Sequence, residues 1–283
     1  MKFVLIGLFV VGCGLMSKAQ TWSLEMNVQV GSNIPIHPNY PQLQPGTPAL
    51  ELGWLHHTQG KTLWSRLHKQ PTVALLLGHQ GLGNDAVLGR AWHFIPALDF
   101  QLWRYRRFGL QARVGWGLAW LTRRYDSQTN LQNIAIGSHL NAAASLRLLA
   151  SWRLATHWSA VLGVGATHYS NGRLSIPNLG VNIPFGKVGI LYLFGEPYPS
   201  GELDPHLTNA AQEPPTKADS SLTNRMPFSL HPYALAGVGF TEIGTSRGPK
   251  YPFYQVELGV SGRLARISML SLAVQYAYQT ASA

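Results

Sequence analysis

Residues 108–120 read FGLQARVGWGLAW. Phe108, Leu110, Ala112, Val114, Trp116, Leu118 and Trp120 take every second position, and Gly109, Gln111, Arg113, Gly115, Gly117 and Ala119 fill the places between. A period of two is a β-strand with two unlike faces. In a water-soluble sandwich the face away from the core carries Lys, Glu and Thr. Here that face is glycine, alanine, glutamine and one arginine. Large apolar and aromatic side chains on one face, with small and polar ones on the other, suit the wall of a membrane barrel: lipid outside, packed lumen inside. In lipid only helices and closed barrels satisfy their own backbone. A soluble sandwich or a lipocalin-like barrel is the competing architecture, and the small second face argues against it.

The pattern recurs along the chain. Trp22, Leu24, Met26, Val28 and Val30 alternate with Ser23, Glu25, Asn27 and Gln29; Tyr254 to Ser261 and Met269 to Tyr278 alternate in the same way. Strands are predicted over 22–30, 48–55, 72–79, 97–106, 108–122, 139–152, 156–169, 185–194, 232–242, 252–262 and 267–278. The fold class is all-β, a transmembrane antiparallel barrel. Connections are short after the fourth, sixth and tenth strands and long after the odd-numbered ones, which puts the N-terminus on the periplasmic side. The connections 56–71 and 195–231 break that parity; the second, with EPPTKADSS, reads as a flexible loop. Bacterial single-chain barrels have an even number of strands, so an odd count means one strand missed or one too many. The three predicted strands of 232–278 are expected to enlarge the barrel to ten or twelve rather than to form an appendage.

Composition agrees. Of 283 residues only 12% are charged, about half the usual ~25%. The start, MKFVLIGLFVVGCGLMSKAQ, has Lys2, an apolar run and small residues at a cleavage point, so residues 1–20 read as a secretory signal and 21–283 as one barrel domain. Cys13 is the single cysteine; it carries a lipid if Val10 to Cys13 is a lipoprotein box, and otherwise leaves with the signal. No disulfide framework or thiolate metal site follows. The net charge of +10 on an exported chain points to anionic lipid headgroups rather than nucleic acid. Nothing in the sequence sets an oligomeric state.

Residues 166–182 read ATHYSNGRLSIPNLGVN. Ala160, Leu162, Val164, Ala166, His168 and Ser170 share one face of a strand, apolar until its last two members. By the same logic His168 and Ser170 look at the bilayer, at the strand's outer end. An imidazole and a hydroxyl facing hydrocarbon cost free energy. They are explained either as a base and its nucleophile or as polar groups meeting headgroups where the strand ends. Pro177 to Gly180 is a turn signal that folds Asn182 back toward His168.

HYSNGRLSIPNLGVN resembles the PagL-type lipid A 3-O-deacylases, also grouped with acyloxyacyl hydrolases. His, Ser, Asn, Pro, Asn and Gly keep that family's spacing over 168–182. The resemblance implies an eight-stranded barrel of the Gram-negative outer membrane that removes the ester-linked 3-O acyl chain of lipid A, the lipid part of lipopolysaccharide. It implies His168 as base, Ser170 as nucleophile, and Asn171 with neighbouring N–H groups such as Gly172 at the oxyanion. No metal or cofactor is implied. One position departs: Asn182 stands where the family carries a glutamate. Asn accepts a hydrogen bond from imidazole but places no charge beside imidazolium. A non-catalytic lipid-binding or structural barrel and a phospholipase-type esterase are the alternative functions.

Arg123, Arg124 and Arg173 are candidates for lipid A phosphates; Arg123 and Arg124 read equally as part of a generic interface girdle. His56-His57 reads as part of a loop, Ser138-His139 as neighbours on opposite faces, and Gly78 to Gly83 as too glycine-rich for a strand. All three are assigned structural roles.

Overall fold

The computed structural model describes residues 21–58, 65, 68, 70–194, 230–243, 248–263 and 269–279. The signal peptide, Cys13 and nearly all of the 195–231 loop lie outside them.

Eight strands form a closed antiparallel barrel in chain order. They are β1 (Thr21–Gly31), β2 (Thr47–His57), β3 (Thr72–Gly81), β4 (Arg90–Tyr105), β5 (Phe108–Leu121), β6 (Leu140–Arg153), β7 (Trp158–Ser170) and β8 (Val181–Phe194). Closure is the pairing of β8 with β1, from Trp22↔Phe194 to Gly31↔Phe185. β9 (Leu230–Glu242), β10 (Lys250–Arg263) and β11 (Met269–Gln279) form a separate three-stranded sheet. The expected enlargement therefore does not occur. Both edges of β1 and of β8 are already spent in the closed ring, so no further strand can enter it.

The two faces are as the alternation requires. Trp116, Leu118, Leu146, Leu162 and Val164 are exposed on the outer wall. Trp22, Trp54, Phe194, Tyr192 and Trp158 touch in succession at the N-terminal end, with ring centroids 4.7–5.8 Å apart. Trp92 and Trp120 are exposed at the opposite end, so aromatic belts flank the apolar band. Connections 106–107 and 154–157 are tight; 32–46, 82–89, 122–139 and 171–180 are long and share the other end. That end faces outward in barrels of this kind.

An eight-stranded barrel is just narrow enough for side chains to fill. The middle of the lumen holds Glu25, Glu51 and Asp99 against Arg113, Arg147 and Lys187, all buried. Arg147 grips both oxygens of Glu51 at 2.5 and 2.8 Å, and Arg113 bridges Asp99 at 2.6 Å and Glu25 at 2.9 Å. Lys187 bonds Glu25. Toward the outer end the filling turns apolar. Tyr40, Leu82, Leu88, Leu121, Ile136, Tyr169 and Ile183 form one cluster under the long connections. Asn33, Asn84, Asn130 and Asn133 tie those connections together by side-chain bonds to backbone carbonyls. The outer end is a packed cap.

Several expectations need correction. β4 begins at Arg90 and β8 at Val181, earlier than 97 and 185. Each early part ends at a proline, Pro96 or Pro184, which donates no amide to the ladder. Here both prolines sit in register, opposite Leu75 and Ala166. His56 and His57 end β2 rather than lie in a loop; His57 bonds Ser23 at 2.7 Å and Thr72 at 3.0 Å inside the barrel. Gly78 to Gly81 are in β3, where a Cβ at Gly78 would overlap the His93 ring.

Candidate active site

β7, the 171–180 turn and β8 make a hairpin whose register sets His168 opposite Asn182. His168 is on the outer face, exposed, on the same side as Leu162 and Val164. Its Nδ1 lies 2.7 Å from Asn182 Oδ1. With Oδ1 as acceptor, Nδ1 carries a hydrogen, and in the neutral ring Nε2 is then the lone-pair nitrogen that a base needs. The ring rests over Gly180: a Cβ there would come within 2.9 Å of His168 Cε1. Gly180 has φ +80°, a conformation natural to glycine. Its N–H donates to the Ala135 carbonyl at 3.0 Å, and its carbonyl accepts from Tyr40 at 3.3 Å.

Ser170, the last residue of β7, shares that outer face. Its Oγ accepts from Asn178 Nδ2 at 2.9 Å and from the Gly172 N–H at 3.2 Å. Asn178 Oδ1 takes the Asn171 N–H at 3.1 Å, which turns the Asn178 amide nitrogen toward the serine. No hydrogen bond joins His168 to Ser170; residues two apart on one strand face stand ~6.5 to 7 Å apart at Cα.

Asn171 differs from the sequence expectation. Its side chain is buried and points into the cap, with Nδ2 donating to Ser138 Oγ and to the Ser175 carbonyl, each at 2.9 Å. Spent there, that carboxamide anchors the turn. Gly172 is the expected oxyanion residue whose N–H meets Ser170. Asn178 supplies the second donor; sequence reading took it only as part of a turn signal.

Arg173 is exposed in the turn, three residues after Ser170, and left-handed at φ +65°. Arg123 and Arg124 lie in the 122–139 connection at the same end of the barrel. Arg123 is exposed and Arg124 half-buried. None of the three has an ion pair with a carboxylate among the described residues. Among those residues, too, no three His, Cys, Asp or Glu side chains gather as metal ligands would.

A residue from outside the barrel also reaches the turn. Glu242, at the end of β9, accepts the Ile176 N–H through Oε2 at 2.6 Å. No sequence pattern points to it.

A family profile described as lipid A 3-O-deacylase (PagL) matches residues 49–190, from β2 to β8. Among solved structures, the outer membrane enzyme PagL is similar at 20% identity and a TM-score of 0.40, over 58% of this chain and 97% of that one. Neisserial surface protein A (NspA) is similar at 8% identity and a TM-score of 0.37, over 60% of this chain and 96% of that one. No curated protein matches the chain.

Proposed function

The chain belongs to the lipid A 3-O-deacylase (PagL) family, and on that premise we propose that it is an outer-membrane serine esterase that removes the 3-O acyl chain of lipid A through Ser170, His168 and Asn182. The observation that carries this reading is the pairing of His168 Nδ1 with Asn182 Oδ1 on the same lipid-facing surface as Ser170. It reserves Nε2 for the role of base on the surface that carries the hydroxyl, where an ester held in the outer leaflet can approach.

Ser170 Oγ attacks the ester carbonyl and gives its proton to His168 Nε2. The oxyanion of the tetrahedral intermediate is met by the Gly172 N–H and Asn178 Nδ2, the two donors already on Ser170 Oγ. One such donor is typically worth ~3 to 4 kcal/mol of barrier. Collapse breaks the bond to the sugar oxygen, which leaves with the proton from His168. Water, deprotonated by His168, then splits the acyl-serine and releases a 3-hydroxy fatty acid. Arg173, Arg123 and Arg124 bind the lipid A phosphates at the outer rim.

A serine-reactive phosphonate carrying an acyl chain tests the site in the refolded barrel. The reading expects one adduct, on Ser170, lost in Ser170→Ala and strongly slowed in His168→Ala. Labelling that is indifferent to His168 rejects it.

A further inference from the structure

Beyond the span that the family profile matches, the chain continues into the β9–β11 sheet, and that sheet touches the 171–180 turn at two points. Glu242 is 1% exposed. Its Oε2 accepts the Ile176 N–H at 2.6 Å, and its own N–H approaches the Arg173 carbonyl at 3.4 Å. Thr241 Oγ1 reaches the same carbonyl at 3.5 Å. The other carboxylate oxygen, Oε1, is buried without a hydrogen-bond partner.

A carboxylate with half its acceptors idle is a poor device for stabilising a sheet, because burying an incompletely bonded charge is costly. Its single strong bond is to the turn. A charge-assisted bond to a backbone N–H is short and roughly twice as strong as a neutral one. Its second contact falls on Arg173, a non-glycine residue at φ +65°. Such a conformation persists where the surroundings hold it, and it gathers at functional sites. The held points, 173 and 176, lie between Gly172 and Asn178, the donors on Ser170 Oγ.

We propose that Glu242 is a positioning residue for the esterase site: from the C-terminal sheet it clamps the turn so that the Gly172 N–H and Asn178 Nδ2 stay aimed at the oxygen of Ser170. This rests on the function proposed above. It makes β9–β11 a working part of the site rather than an inert appendage. A turn that drifts by about an ångström loses rate by up to a hundredfold without losing substrate, so the clamp acts on kcat and not on KM.

The test uses the full chain, refolded in detergent micelles, with Glu242→Ala and Glu242→Gln. Glutamine keeps an acceptor oxygen for Ile176; alanine keeps none. Two readouts are taken: kcat and KM for lipid A deacylation, and hydrogen exchange of the 171–182 peptide. Glu242→Ala is expected to lower kcat about tenfold or more with KM within about twofold, and to speed exchange at Ile176. Glu242→Gln, with a neutral acceptor, is expected to restore a clear part of both. Wild-type exchange and kcat in Glu242→Ala overturn the proposal, as does equal damage from alanine and glutamine. Should the wild-type chain fail to deacylate lipid A, the function falls, while the exchange data still decide whether Glu242 holds the turn.

Discussion

His168 Nδ1 and Asn182 Oδ1 meet at 2.7 Å across a directly opposed β7–β8 pair, on the barrel wall that faces lipid. Two paired strands thus hold the imidazole in one tautomer, both partners standing on the sheet rather than in the turn that joins the strands. The neutral amide sets orientation, but it adds no charge when imidazolium forms.

Asn182→Glu therefore raises kcat. A charge-assisted bond exceeds a neutral one by about 1 kcal/mol, which corresponds to about fivefold in rate. Single-turnover deacylation of lipid A measures it. An unchanged or lower rate would mean that imidazolium does not develop in the rate-limiting step.

Gly180→Ala injures the site without touching its polar groups. The new Cβ meets His168 Cε1 at 2.9 Å, and the backbone is at φ +80°. The imidazole must swing off Asn182, and kcat should fall by about a hundredfold. Heat-modified gel mobility reports whether the barrel has still closed. A closed barrel with full activity would remove Gly180 from the account.

Arg147→Ala tests the lumen rather than the site. It leaves Glu51 buried beside Lys187, which lies 3.9 Å away, with its nearest cation gone. Removing one partner of a buried pair costs about 3 to 5 kcal/mol. Replacing both partners, Arg147→Met with Glu51→Gln, should recover much of that. Urea unfolding from lipid vesicles compares the two. Equal losses would show that charge pairing is not what the lumen depends on.

The rim arginines should govern binding. Arg123→Ala with Arg173→Ala raises KM for bis-phosphorylated lipid A while leaving kcat nearly unchanged. The same pair should hardly affect a substrate from which the phosphates have been removed. Equal effects on both substrates would place these residues elsewhere in the mechanism.

Much of this was legible in the chain. Period-two alternation reports which face meets lipid, so the barrel and the outward aim of His168 and Ser170 could be read directly. Two strand starts were not: β4 and β8 begin ahead of 97 and 185 and run through Pro96 and Pro184, each opposite a paired residue. Strand number misled as well. β9 to β11 alternate much as the wall strands do, and only the β8–β1 pairing reveals that the ring is already closed. In the site, the partner across the hairpin was readable from a motif. The direction of a side chain inside a turn was not. Asn171 and Asn178 are seven residues apart in the same turn, and its folding sends one into the cap and the other to the serine. Glu242 could not have been found at all, since its contact with Ile176 spans 66 residues and a sheet of its own.

The central claim is an ester bond broken by Ser170 in lipid A, and mass spectrometry of lipid A from cells making the protein tests it most directly. Wild-type chain should remove one 3-hydroxyacyl group and release the free acid, while Ser170→Ala, folded and inserted, should leave lipid A intact. Unaltered lipid A with the wild type and with Asn182→Glu, or the same loss with Ser170→Ala, would contradict it.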